Sequence, residues 1–200
     1  MALIDSFIKF LPILYLFITA GLIWELFIRK NPKNLIRPAV IIVLALEVIK
    51  AGLLIFGTYY LWSHNPVSKF LLPPYQKISY FISYTTYRFV LPFVFALGAA
   101  LLFFFFAKII NRFFKERLSY ADEPLFIFYG IIITGHPLWI FYLFAVFILG
   151  LLVYILGLFW EKIKFGELFS LYYLCLVIVF LVLLFNKVIL QIPLLQYLKF

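Results

Sequence analysis

Long apolar stretches separated by short polar segments dominate the chain. The first three predict membrane helices, because each exceeds the roughly 20 residues that cross a bilayer core about 30 Å thick. Tyr59, Tyr60 and Trp62 at the end of the second stretch are typical of a membrane interface. Pro38 stands at its start, where a missing backbone N–H is tolerated. The three helices are predicted over 7–28, 38–62 and 79–110.

The next apolar stretch, 123–160, is too long for one helix. Gly135, His136 and Pro137 interrupt it and predict a break, since proline disfavours helical geometry in the residue before it. The part before the break is either a thin crossing or a re-entrant half-helix buried in protein. A last membrane helix is predicted over 167–185, followed by a mildly amphipathic interfacial tail.

Composition excludes a soluble domain. Of the 200 residues, 67% are hydrophobic and only 12% are charged, which is more apolar side chain than a soluble domain of this size hides from water. The chain is therefore predicted to be all-α. It forms one integral membrane domain over 1–200, a polytopic transmembrane helix bundle of about six membrane helices with a broken or re-entrant segment at 123–137.

The net charge of +9 indicates membrane topology rather than nucleic-acid binding. The Lys and Arg residues form short clusters between apolar stretches instead of one exposed basic face. Ten lie in 29–37, 108–117 and 161–164, against five on the opposite side of the predicted topology. Because basic loops stay in the cytoplasm, this distribution predicts an extracytoplasmic N-terminus.

Ionisable residues inside apolar helices require a partner or a purpose, since each costs a few kcal/mol near the bilayer centre. Glu47 and Lys50 lie three residues apart on one face of the second helix and can neutralise each other. They are either a structural pair or part of a site for a polar headgroup. No metal-spaced cluster of ligands and no cofactor motif is present, so neither a metal nor a cofactor is expected.

Arg88 lies inside the third helix among hydroxyl-bearing residues that include Tyr84 and Tyr87. A guanidinium surrounded by hydroxyl groups suits a phosphate, which accepts two parallel hydrogen bonds, so an anionic phospholipid headgroup is a candidate ligand. The alternative is that Arg88 pairs with Glu47 or Glu25 across helices and fixes packing. A channel is disfavoured, because no helix carries a polar stripe along its length.

His136 lies at the predicted helix break, where backbone groups lose their helical partners. A neutral imidazole there acts either as a base or as a cap of the broken helix. It is the candidate catalytic residue of the chain. Arg88, Lys50, Glu47, Tyr84 and Tyr87 are the candidate substrate-binding residues.

The order of several short motifs resembles prolipoprotein diacylglyceryl transferase, a bacterial membrane enzyme that moves diacylglyceryl from phosphatidylglycerol onto a lipoprotein cysteine. Gly166 to Tyr172 is similar to the start of that family's last helix. Thr85 replaces the family's histidine, so activity is left open. The other matching segments are Tyr59-Tyr60-Leu61, Asn65-Pro66, Ser83-Tyr84-Thr85, Tyr120-Ala121-Asp122 and His136-Pro137.

This resemblance implies a bacterial inner-membrane protein of lipoprotein biogenesis. Its partners would be membrane lipid, above all phosphatidylglycerol, and a lipoprotein signal segment, with phosphate held by Arg88 and Lys50 and His136 as the base. The second half also resembles type IV prepilin peptidases, with Ala121-Asp122 in place of their Gly-Asp. The alternative function is a non-catalytic membrane subunit or small transporter whose buried charges serve helix packing and contact with a membrane protein partner.

Overall fold

The computed structural model describes residues 2–29, 33–113, 122–159 and 172–193, together with Leu195 and Leu198. These residues form helices and short turns, and no strand occurs among them. A 3-10 turn at Ser68–Leu71 follows the second helix, and a π-helical turn at Thr86–Val90 joins the third and fourth. The helices are α1 (Ala2–Arg29), α2 (Lys33–His64), α3 (Ile78–Thr85), α4 (Leu91–Phe113), α5 (Glu123–Thr134), α6 (Leu138–Phe159), α7 (Tyr172–Leu184) and α8 (Asn186–Ile189).

Four helical stretches in the described residues are long and apolar enough to cross a membrane. They are Leu3–Ile28, Leu35–His64, the continuous stretch Ile78–Phe113, and Leu138–Gly157. Two shorter apolar helices, α5 and α7, accompany them. The predicted all-α membrane bundle and its break near Gly135 are therefore confirmed.

Helix ends differ from the prediction in informative ways. The second helix begins at Lys33, so Pro38 lies inside it rather than at its first position. As the sixth residue of the helix, Pro38 removes one helical hydrogen bond close to the helix start. The residues predicted to open the last helix, 167–171, lie outside the described residues, as does most of the 111–119 basic loop.

The short helix α5 is the centre of the bundle. Eleven of its twelve residues are buried, including Phe126 and Tyr129 at 0% exposure. It packs against α2, α4, α6 and α7. A helix that is apolar on all sides belongs in a protein interior, because no face is left for solvent. Here the neighbouring helices provide that interior.

One hydroxyl contact and one close ring contact fix α5 in place. The Tyr129 hydroxyl lies 2.9 Å from Thr19 Oγ1 of α1, and Thr19 also donates to the Tyr15 carbonyl at 2.8 Å. At the next residue of α5, the Tyr142 ring of α6 packs so closely on Gly130 that a Cβ at this glycine would overlap it. Glycine is therefore required for α6 to approach α5.

α5 and α6 form an antiparallel hairpin. The turn begins at Gly135, whose φ of +66° is readily adopted by glycine alone. The His136 ring lies 5.9 Å from the Phe95 ring, and further along α6 Phe147 lies 6.4 Å from Phe103. α6 thus runs in the same direction as α4, whereas α5 runs against it. Both predicted alternatives, a thin crossing and a re-entrant segment, have this antiparallel geometry.

The helix ends beside the three basic segments lie at one end of the bundle. The Phe27 ring near the end of α1 lies 5.4 Å from the Tyr173 ring at the start of α7. Phe104 of α4 and Phe128 of α5 lie 6.1 Å apart, so the end of α4 and the start of α5 are also level. Because α6 runs antiparallel to α5, the end of α6 lies at the same end of the bundle as the start of α5.

Candidate functional site

Glu47 and Lys50 form a closed ion pair on α2. Lys50 Nζ lies 2.7 Å from Glu47 Oε2 and 3.0 Å from Oε1. The Tyr15 hydroxyl of α1 donates to Oε1 at 2.8 Å. Glu47 is 8% exposed, whereas Lys50 is half-buried. The carboxylate therefore has its counter-charge and an additional donor, as a buried charge requires.

Arg88 has a different environment. It lies in the π-helical turn, where the Thr86 N–H is shared between the Ile82 and Ser83 carbonyls and the Thr85 hydroxyl donates to Phe81 at 3.0 Å. Such turns insert an extra residue into a helix and occur often at functional sites. The Arg88 side chain is exposed and forms no ion pair or hydrogen bond with any residue that the structure describes. The predicted packing partner, Glu47, is bound to Lys50 instead.

One cavity of about 300 Å³ brings four of the predicted site residues together. Glu47, Lys50, Arg88 and His136 all line it, although they come from α2, the π-helical turn and the α5–α6 turn. We call it the polar cavity. Its other polar lining groups are Tyr15, Thr134 and Asn186, which the sequence did not single out. Tyr15 had a signal, since it is a hydroxyl-bearing residue one turn from Thr19 in an apolar helix.

His136 is held by both ring nitrogens. The Trp139 indole N–H donates to Nδ1 at 3.3 Å, and Nε2 lies 2.7 Å from the Leu198 carbonyl. An indole only donates and a carbonyl only accepts, so the imidazole is neutral with its proton on Nε2. Its lone pair already accepts the Trp139 bond. His136 can therefore act as a base only after that bond opens, and in the observed arrangement it ties the helix break to the C-terminal segment.

Tyr84 and Tyr87 lie outside the polar cavity. With Tyr80, Ser83 and Arg88 they line a separate groove of about 310 Å³, which we call the tyrosine groove. Tyr80 and Tyr84 pack against the Trp62 ring of α2, at centroid distances of 6.3 and 4.9 Å. Arg88 is the residue that the two cavities share.

The ring contacts with Trp62 give the depth of the site. Trp62 belongs to the aromatic residues that mark the interface, and Tyr84 is level with it. Arg88 lies one helical turn further, about 6 Å deeper at 1.5 Å per residue. Lys50 is about 18 Å from Trp62 along α2 by the same measure. The polar cavity thus extends from just beneath the interface to about the middle of the bilayer.

Among the residues that the structure describes, one positive charge of the polar cavity has no ion-pair partner. Glu47 and Lys50 cancel, His136 is neutral, and Arg88 remains at the mouth of the polar cavity. Comparison with known proteins adds no relative to this description: no family model matches the chain, and it matches neither a curated protein nor a solved structure.

Proposed function

We propose that this membrane protein binds an anionic phospholipid through Arg88, with the polar cavity taking the part of the lipid next to the phosphate. The observation that supports the proposal is the unpaired guanidinium at the mouth of a cavity whose other charges cancel. A phosphodiester carries a single negative charge and accepts two parallel bonds from a guanidinium. The single negative charge of the phosphodiester would neutralise the positive charge of Arg88.

The depth of Arg88 supports the same ligand. A phospholipid phosphate lies close to the interface, and Arg88 is about one helical turn below the Trp62 ring. The side chain can therefore reach a phosphate with little displacement of the lipid. Lys50, Thr134 and Asn186 further down the cavity are suited to the ester groups that follow the phosphate.

The motif resemblance extends this proposal to a divergent diacylglyceryl transferase-like protein of lipoprotein biogenesis. In this view the lipid is phosphatidylglycerol and the membrane is a bacterial plasma membrane. The N-terminus is extracytoplasmic, since the helix ends next to the basic segments share the end that charge assigns to the cytoplasm. His136 would act as base once Trp139 releases its Nδ1.

A second candidate function is a non-catalytic membrane subunit that binds lipid for stability and contacts a membrane protein partner. One observation favours it. Both ring nitrogens of His136 are engaged, so the cavity as it stands contains no available base. The two candidates share the lipid site and differ in whether chemistry follows binding.

Lipid binding is tested with the Arg88→Gln variant. Protein in detergent is titrated with dioleoyl phosphatidylglycerol, and the bound fraction is read by native mass spectrometry. Loss of the guanidinium should weaken binding at least tenfold, because the only unpaired charge of the cavity is gone. The matched control is Arg37→Gln, which removes an exposed arginine of α2 that does not line the cavity. Equal binding by both variants would contradict the proposal.

Transfer activity separates the two candidate functions. Labelled phosphatidylglycerol and a lipobox peptide are incubated with the unmodified protein, with Arg88→Gln and with His136→Asn. Label that reaches the peptide only with the unmodified protein supports the transferase. No transfer by folded, lipid-binding protein supports the subunit, and affinity purification then identifies its partner.

A further inference from the structure

The tyrosine groove has the features of a binding surface rather than of a packing seam. Tyr87 is 66% exposed and makes no ring contact with the described residues. Tyr80 and Tyr84 are 46% and 37% exposed, with Trp62 behind them. Neither these three hydroxyls nor that of Ser83 forms a hydrogen bond in the described parts of the chain. The groove therefore offers aromatic faces together with unused donors and acceptors.

The groove lies on the interface side of Arg88. Tyr80 and Tyr84 are level with Trp62, and the sequence from Tyr80 to Arg88 leads inward toward the polar cavity. A lipid whose phosphate is on Arg88 has its headgroup on that outer side and its acyl chains on the inner side. The groove is thus placed for the headgroup beyond the phosphate.

Charge limits which headgroup fits. Tyrosine faces attract ammonium groups, so a choline headgroup is the first alternative. However, the chain has no Asp or Glu between Glu47 and Glu116, the segment that contributes every residue of the groove and Trp62. Arg88 adds a positive charge at the groove itself. A cationic headgroup would meet repulsion without a carboxylate to offset it, whereas an uncharged headgroup would not.

We infer that the tyrosine groove binds a ring-shaped polyol, a cyclitol or sugar, attached to the phosphate that Arg88 holds. This inference rests on the proposed phospholipid site at Arg88 and favours a ring headgroup over the glycerol headgroup that the motif resemblance implies. The C–H edges of such a ring pack on tyrosine faces, whose π electrons are negative, while its hydroxyls exchange hydrogen bonds with Ser83 and the tyrosines. The volume of about 310 Å³ is about ten times the ~30 Å³ of a water molecule and accommodates a six-membered ring.

The test compares headgroups on the same acyl chains. Dioleoyl phosphatidylinositol, phosphatidylglycerol and phosphatidylcholine are titrated separately into detergent-solubilised protein, and binding is read by native mass spectrometry. Phosphatidylinositol, with its cyclitol ring, should bind at least fivefold more tightly than phosphatidylglycerol. Tyr87→Leu should remove that preference, so that its affinities for the two lipids agree within twofold, because only the ring headgroup loses a contact.

Two further variants make the result specific. Tyr75→Leu removes a tyrosine of similar exposure, 61%, outside the groove and should leave the preference intact. Tyr87→Phe keeps the ring and should retain part of the preference. Equal affinity for the inositol and glycerol lipids, or a Tyr87-dependent preference for choline, would overturn the inference while leaving the proposed function standing. If Arg88→Gln binds all three lipids as the unmodified protein does, the proposed function fails instead.

Discussion

Tyr129 at the centre of α5 and Arg88 in the polar cavity differ in whether the surrounding helices provide a polar partner. Around α5, the Tyr129 hydroxyl has a partner in Thr19, and glycine at position 130 admits the Tyr142 ring without a gap. In the polar cavity, only part of the charge is satisfied: Glu47 and Lys50 bind each other, but Arg88 has no partner among the described residues. Both regions lie among the same helices, so lack of suitable neighbours in the bundle does not explain the difference. The contrast supports a structural role for α5 and the proposal that Arg88 binds a ligand.

The largest loss of stability is expected from Gly130→Ala. Its Cβ would overlap the Tyr142 ring, which is fully buried, and overpacking of this kind costs about 1–3 kcal/mol. The melting temperature in detergent, followed by tryptophan fluorescence, should fall strongly. Gly98→Ala is the control, since nothing lies within 4 Å of its Cβ position. Equal melting of the two variants would show that Gly130 is not a close contact.

Glu47→Leu should have the next largest effect. It leaves Lys50 without a counter-charge, at a cost of about 1–3 kcal/mol, below the range for a fully buried pair because the Lys50 side chain is 35% exposed. The double variant Glu47→Leu, Lys50→Met should recover most of the loss in melting temperature. The single variant should also bind phosphatidylglycerol more tightly, since the cavity then holds two unpaired cations. Additive losses in the double variant would argue against a coupled pair.

Tyr129→Phe is a smaller change to the centre of the bundle. It removes the contact with Thr19, whose hydroxyl keeps its bond to the Tyr15 carbonyl, so we expect a loss of about 0.5–1.5 kcal/mol. Thermal unfolding beside Tyr75→Phe, an exposed position, measures it. Lipid binding should be unaffected by either substitution, and a change in the Tyr129 variant alone would link the centre of the bundle to the site.

Arg88→Gln should have the smallest effect on stability of the lipid-free protein, within about 0.5 kcal/mol, because the side chain is exposed and has no partner to lose. Added phosphatidylglycerol should raise the melting temperature of the unmodified protein but not that of the variant. A large loss of stability without lipid would show that Arg88 has a structural role. The polar cavity would then resemble the packing around α5 in serving stability.

The sequence predicted the membrane helices well because bilayer thickness imposes a length that apolar stretches reveal directly. It also predicted the break at Gly135 and the pairing of Glu47 with Lys50, since both depend on local spacing. The hairpin of α5 and α6 required tertiary information, because a short apolar helix fits a crossing and a re-entrant segment equally well. The π-helical turn at Thr86–Val90 had no signal, since it inserts one residue without a proline or glycine.

For the site as well, the features that depend on local sequence were predicted and those that depend on tertiary contacts were not. The sequence identified Glu47, Lys50, Arg88 and His136 from the cost of polar groups in apolar helices, and the structure places all four on one cavity. How these four side chains are arranged could not be predicted, because it depends on contacts between segments that are distant in the sequence. Trp139 and Leu198 occupy the ring nitrogens of His136, and neither residue type suggests such a role by itself. Tyr84 and Tyr87, chosen for their proximity to Arg88, belong to the adjoining groove.

The shortness of α5 also constrains how the chain is made. Twelve residues extend about 18 Å, well short of a bilayer core of about 30 Å, and the turn at Gly135 would leave backbone groups in hydrocarbon. The nascent segment therefore has no stable place in lipid until the helices that surround it have assembled. Because α7 also packs against α5 and follows α6 in the chain, the surroundings of α5 are complete only after α7 has been made. A chain interrupted after Phe159 would leave α5 partly uncovered.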